Sequence, residues 1–291
     1  MTLTVNEGFE AFLTRLTPTA AERSASAKHR ESVKSALESE FAVSRFFETG
    51  SFSHGTGVRS FSDVDVFVSL GGSRPESSYS TLEKIRNVLA ERFPATPVAI
   101  DRPAVKAKFA LGTETWEVIP AYVATQDSDG NLIYDIPGAS IGAGWIRSAP
   151  DAHLTYVNRC NERPSRGKAK ALARLIKAWK YFSNVPISSF YLEMRAAHYV
   201  ASVETYIHVW DICLLLEKLN NLQLASMNDP AAASGRINAC SSDAKREEAL
   251  SKLATAAARS RNALDAQRAD KTDLAYYYLG QLFAGQFPSR T

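Results

Sequence analysis

Apolar positions along this 291-residue chain recur with two different periods, and the change between them divides the molecule. Phe9, Phe12, Leu13 and Leu16 fall at helical spacing and predict a helix over 1–16, broken by Thr17-Pro18-Thr19. A long helix is expected over 20–47, carrying Val33, Leu37, Phe41, Val43, Phe46 and Phe47 into a core. The period then drops to two. Val64, Val66 and Val68 alternate with Asp63, Asp65 and Phe67, which predicts a strand running to Leu70. A helix over 79–93 follows, with Leu82, Ile85, Val88, Leu89 and Phe93 on one side, ended by Pro94 and Pro97. Runs at 98–101, 104–111 and 116–123 read as strands of a hairpin-rich sheet, and 126–152 as an irregular, glycine-rich segment in which Trp145 is first a packing anchor.

From about 154 onward only helical periodicity remains. Leu172, Leu175, Ile176 and Trp179 form one stripe between 166 and 182. Helices are expected through 195–219, then a turn-rich loop over 227–236, then helices over 243–268 and 272–284. The pattern is that of an α/β (α+β) protein of two lobes: residues 1–153 with the sheet and the N-terminal helices, and residues 154–291 as a helical lobe.

Composition narrows the function classes. Apolar residues make up 45% and charged residues 22%, ordinary for a globular protein. A formal net charge of +3 is too small to signal nucleic-acid binding by bulk electrostatics, so any anion site must be local. The three cysteines, Cys160, Cys213 and Cys240, show neither zinc spacing nor a disulfide framework. No apolar run is long enough to cross a membrane and no signal pattern opens the chain, so a cytoplasmic protein is expected.

The chemistry concentrates between Glu48 and Leu70. Gly50, Gly55 and Gly57 let backbone N–H groups approach an anion, and Ser51, Ser53 and Thr56 add hydroxyls. The strand after this turn carries Asp63 and Asp65 on one face. Two adjacent carboxylates repel unless a hard divalent cation of the magnesium type neutralises them. A phosphate-binding turn beside a metal-binding acid pair suits nucleotidyl transfer, in which two metal ions clamp an in-line displacement. Glu117, set among Trp116, Val118 and Ile119, is costly unless paired or metal-bound, and beside the aspartate strand it completes a three-carboxylate site.

Gly50-Ser51 followed by Ser62-Asp63-Val64-Asp65 resembles the signature of polymerase-β-like nucleotidyltransferases, and most of all the bacterial cGAS/DncV-like synthases of second messengers. The resemblance covers roughly residues 30–260. It implies a bilobal core sheet with a C-terminal helical bundle and a long N-terminal bracing helix. It implies that Gly50 and Ser51 hold a donor triphosphate, that Asp63, Asp65 and Glu117 hold two Mg2+ ions (Mn2+ being the alternative), and that Glu117 stands where Asp is commoner. Lys177, in Leu175-Ile-Lys-Ala-Trp179, matches a lysine that reaches the triphosphate, although Lys170, Arg174 and Lys177 also read as a plain solvated basic face. Ser189 matches a serine that bonds the nucleotide, while Ser188 or Ser189 also suits a helix cap.

The implied activity is condensation of NTPs, ATP or GTP among them, into a cyclic di- or trinucleotide, made in anti-phage signalling and read by an effector protein. A regulatory protein partner is a further expectation; a membrane partner is not. Two alternatives share the motif: a nucleotidyltransferase that modifies a protein, a tRNA or a small molecule, and a catalytically silent nucleotide-binding module.

Overall fold

The computed structural model describes residues 2–19, 29–61, 63–110, 114–140, 142–162 and 167–291. Helix α1 (Val5–Leu16) opens on a capping box in which Thr4 accepts from the Glu7 backbone and the Glu7 carboxylate accepts from the Thr4 backbone. After α2 (Arg30–Glu38) come strand β1 (Val43–Glu48), the single-turn helix α3 (Gly50–Ser53) and strand β2 (Val64–Leu70). Helix α4 (Ser78–Arg92) leads to β3 (Val98–Asp101), β4 (Ala104–Phe109), the long β5 (Glu114–Gln126), β6 (Leu132–Pro137) and β7 (Trp145–Ser148). The remainder is helical: α5 (Pro150–Glu162), α6 (Lys168–Phe182), α7 (Ser189–Val200), α8 (His208–Asn221), then a small β8 (Met227–Asn228) and β9 (Arg236–Ile237) ribbon, α9 (Asp243–Arg268) and α10 (Thr272–Leu282).

The main sheet runs β1-β2-β5-β4-β3, with β6 and β7 extending from the far half of β5. β2 and β5 pair in parallel, and the other pairings are antiparallel. Alternation along β2 works as its sequence demands. Val64, Val66 and Val68 enter a core shared with Val33 and Leu37 of α2 and Leu82, Ile85 and Leu89 of α4. The aspartates therefore face the other way, toward the helical half.

Two expectations need correction. The helix expected over 20–47 ends at Glu38 among the described residues, and its final stretch from Val43 is strand β1; residues 20–28 lie outside the described set. Val43, Phe46 and Phe47 suit a pleated edge, and pairing with β2 outweighs the helical composition just before them. The irregular segment at 126–152 contains β6 and β7, and Trp145 acts as an anchor there, its indole N–H donating to the Pro75 carbonyl at 2.8 Å.

Helix α1 packs with the helical half rather than with the sheet. Val5, Phe9, Phe12, Leu13 and Leu16 are buried beside Phe283, Phe287 and the α6 stripe. The two halves are pinned at their junction by Arg45 of β1 on Asp151 of α5, and α5 is itself tied to the loop before β9 by His153, whose Nε2 lies 2.7 Å from Asp229 Oδ1.

Candidate active site

The backbone brings the acids together through register. Asp65 on β2 stands opposite Glu117 on β5, and Asp63 precedes β2 on the same side. Burial first, then the charge of Glu117, pushes Asp63 up to about 6 against the pull of Lys106. Asp65 is enclosed more deeply. Burial, then Glu117, then Asp63 raise it well above the usual carboxylate range. A set of crowded oxygen ligands whose charges oppose one another fits a hard divalent cation. Among the described residues no three acids, histidines or cysteines already converge as a closed metal cage. Glu117 instead directs Oε1 at Lys106 Nζ, 2.7 Å away.

Gly50 is required by close approach. Its φ of +61° is left-handed, and a Cβ there would lie 2.0 Å from Asp65 Oδ2. The chain thereby lets the α3 turn sit directly against the acid, with Thr49 N–H donating to the Asp65 carbonyl at 2.8 Å.

Gly50, Ser51, Asp63, Asp65, Glu117, Lys177 and Ser189 all line a single cleft of about 370 Å³ between the sheet and helices α6 and α7. The rest of the glycine turn does something other than expected. Arg174 donates to the carbonyls of Gly57 (2.9 Å) and Gly55 (2.6 Å), and Thr56 is fully buried, donating to Glu193. Arg174 and Lys177 of the basic face of α6 are thus not solvated: they clamp the turn.

Lys177 belongs to that clamp. It is 1% exposed and donates from Nζ to Glu193 Oε2 and Thr56 Oγ1, each at 2.8 Å. His54 Nδ1 bonds the other Glu193 oxygen. Burial opposes the Glu193 charge, but Lys177 and His54 hold the carboxyl well below its ordinary value. Ser188, not Ser189, caps α7, accepting from Tyr191 N–H. This leaves the Ser189 hydroxyl in the cleft, where it accepts from Lys180 Nζ at 2.7 Å and meets Tyr181 OH at 3.1 Å.

Lys180 was missed in the sequence. Burial, then neighbouring Lys177, brings it down to about 8 despite the attraction of Asp63. Its position three residues after Lys177 on one helix was the available signal. Phe61 and Tyr181, also missed, stack at the cleft rim with centroids 5.0 Å apart.

A second cavity of about 590 Å³ opens beside the first, its exposed lining surface mostly apolar, with Arg147, Arg236 and Asn238 among its polar side chains. The two share Gly50, His54, Asp65 and Phe190.

Residues 2–161, more than half of the chain, match the family model of the Second Messenger Oligonucleotide or Dinucleotide Synthetase domain. The chain belongs to that family. It is a nucleotidyltransferase that makes cyclic oligonucleotides. Its fold is shared with solved synthases at low sequence identity. E. coli MS115-1 CdnC, solved with ATP, is 15% identical with a TM-score of 0.76, each chain covered to 99%. The cyclic AMP-GMP synthase DncV of Vibrio cholerae, solved with a linear intermediate, is 13% identical with a TM-score of 0.73, covering 100% of this chain and 98% of that one. The cyclic dinucleotide synthase CdnE of Elizabethkingia meningoseptica, with GTP and Apcpp, is 16% identical at a TM-score of 0.64, covering 87% and 97%. No curated protein sequence matches. No described helix of the synthetase is long and apolar enough to cross a membrane.

Proposed function

We propose that the synthetase seats a donor NTP in the smaller cleft and an acceptor nucleotide in the adjoining cavity, and joins them at Asp65. The observation that carries this is the meeting of the two cavities at Gly50, His54, Asp65 and Phe190. A condensing enzyme needs two nucleotide pockets that open onto one set of acids. The contents of each pocket suit the assignment. Ser51, Lys180 and Ser189 offer donors to a triphosphate, with Lys177 behind them. Phe61 and Tyr181 offer aromatic faces to its base. The larger cavity is apolar enough for a base, with Arg147, Arg236 and Asn238 to orient it.

Asp63, Asp65 and Glu117 would hold the divalent metal, magnesium by its preference for carboxylate oxygen, and the bound metal supplies phosphate charge neutralisation and a more acidic attacking hydroxyl. Around it the chain's own groups orient the two nucleotides in line. The acceptor ribose oxygen bonds to the α-phosphorus while the bond to the β-phosphate oxygen breaks and pyrophosphate departs. Turning the linear product within the same cleft and repeating the step closes the ring.

An anti-phage signal, made in the cytoplasm and sensed by an effector, suits a cyclic product. The solved complex of CdnC with HORMA-deltaN, whose CdnC is similar to this chain over 98% of its length at a TM-score of 0.73, supports a regulatory protein partner. The test is chemical. Incubation with the four NTPs and Mg2+ is expected to yield a phosphatase-resistant cyclic product by mass spectrometry, absent with Asp63→Asn or Asp65→Asn. Label transferred only to a protein or tRNA acceptor would overturn the reading.

A further inference from the structure

The acid cluster contains a cation of its own. Lys106 on β4 stands opposite Glu117 in the antiparallel β4–β5 register, and strand alternation sends its side chain to the same face as the carboxylates. Its Nζ lies 2.7 Å from Glu117 Oε1, 3.1 Å from Asp101 Oδ2 and 3.6 Å from Asp63 Oδ2.

The other cations near the acids are engaged differently. Lys177 is matched by Glu193, and Lys180 donates to the Ser189 hydroxyl on the α6–α7 side of the cleft. Lys106 alone among the described residues makes ion pairs with members of the Asp63/Asp65/Glu117 trio. The longer side chain of Glu117 allows it to reach Lys106 while remaining beside Asp65.

We propose that Lys106 is a resident counter-ion that takes the place of one divalent cation, so that the site without nucleotide holds one metal ion rather than two. Once the trio ionises to take up metal, three carboxylates less one ammonium leave two negative charges, which one divalent ion balances; Asp101, the fourth acid near Lys106, stands largely in solvent outside the trio. Lys106 is a positioning residue. It fixes one Glu117 oxygen beside the aspartates and repels a second cation, and it need not touch substrate. The inference rests on the carboxylate site proposed above.

Mn2+ titration of the nucleotide-free protein, followed by electron paramagnetic resonance, tests it without reference to activity. Lys106→Met is expected to bind Mn2+ at least about tenfold tighter than wild type, or to take up one further equivalent. A like charge a few ångström from the ion costs more than that at an effective dielectric of about 20. Lys106→Arg, which keeps the charge, is expected to bind as wild type does. Equal affinity and stoichiometry in wild type and Lys106→Met, or no Mn2+ binding by a folded Lys106→Met, overturns the inference. Lys106→Met/Asp65→Asn separates the two levels. If the double variant loses Mn2+ while Lys106→Met matches wild type, only the role of Lys106 falls. If the double variant binds as Lys106→Met does, the carboxylate site falls with it.

Discussion

Asp65 on β2 and Glu117 on β5 face each other across a parallel strand pair, so the fold itself forces two acids into one small space. With Asp63 beside them, the cluster opposes folding when no metal ion is bound. Burial and Glu117 push Asp63 up to about 6 from an ordinary 3.8. A carboxyl raised in the folded state removes stability as pH climbs through that interval, and the loss is complete above it. Asp63→Asn is therefore expected to melt at a higher temperature than wild type at pH 7.5 in EDTA, with the difference vanishing below about pH 4. The side chain is 40% exposed, so solvent screening limits the gain to about 1 kcal/mol. The same variant is expected to lose product formation by at least about a hundredfold, since it removes a proposed metal ligand outright. Calorimetry and a pyrophosphate-release assay on one preparation measure both.

Gly50 connects the phosphate-binding turn to that acid. Its left-handed φ of +61° and the 2.0 Å from its missing Cβ to Asp65 Oδ2 leave no room for a side chain. Gly50→Ala is expected to displace the Asp65 carboxylate and cost about 1–3 kcal/mol of stability. Product formation falls as far as in Asp65→Asn while the protein still folds. An Asp65 that stays in place in a crystal structure of Gly50→Ala, with activity retained, would contradict the close approach.

Much of this was legible in the sequence because it depends on local pattern. Val64, Val66 and Val68 define the buried face of β2, and the two aspartates then have one face left. The stripe of Leu172, Leu175, Ile176 and Trp179 likewise marks the buried side of α6. What escaped depends on pairing between distant segments. β1 reads as a continuation of α2 until β2 lies alongside it, because strand stability comes from its neighbour. Lys106 acquires meaning only through register with Glu117, 11 positions on, which nothing local specifies. Lys177 illustrates the converse: its motif placed it at the cleft, but Glu193, on a different helix, decides what it bonds.

Lys180 has a titration that solution experiments can reach. Burial and Lys177 bring it down to about 8 from 10.5, so in the free protein it sheds its proton through mildly alkaline pH. An ammonium that holds phosphate binds only while charged. ATP affinity is accordingly expected to decline between pH 7.5 and 9.5 in wild type. Lys180→Arg is expected to hold its affinity across that range, and Lys180→Met to be weak and flat. For stability the sign is opposite: the folded state binds fewer protons than the unfolded chain between about 8 and 10.5, so this group's contribution rises with pH there. Calorimetric titration at several pH values, in buffers of matched ionic strength, measures the binding trend. Identical slopes in wild type and Lys180→Arg would remove Lys180 from the triphosphate site.

Glu193 joins the two halves through a buried network of Lys177, His54 and Thr56. All four side chains are buried, with Glu193 at 3% and Lys177 at 1% exposure, so water cannot replace a lost partner. Glu193→Gln leaves the Lys177 ammonium without a counter-charge and is expected to cost about 3–5 kcal/mol. Lys177→Met leaves the carboxylate with only His54 and Thr56 and costs a similar amount. The double variant Glu193→Gln/Lys177→Met removes both charges and is expected to be more stable than the sum of the single losses predicts. The pH dependence follows from the depressed Glu193 carboxyl: its stabilisation is full above the unfolded value of 4.5 and is lost as pH falls below it. The gap in unfolding free energy between wild type and Glu193→Gln should therefore hold steady from pH 8 down to about 5 and narrow under more acidic conditions. Urea titrations at pH 7 and pH 4 distinguish this from a packing defect, whose gap would not change with pH. Because the network grips the Gly55–Gly57 turn that leads into Asp63, Glu193→Gln is also expected to weaken ATP binding by a similar factor at low and high Mg2+, the mark of a misplaced turn rather than a damaged metal site.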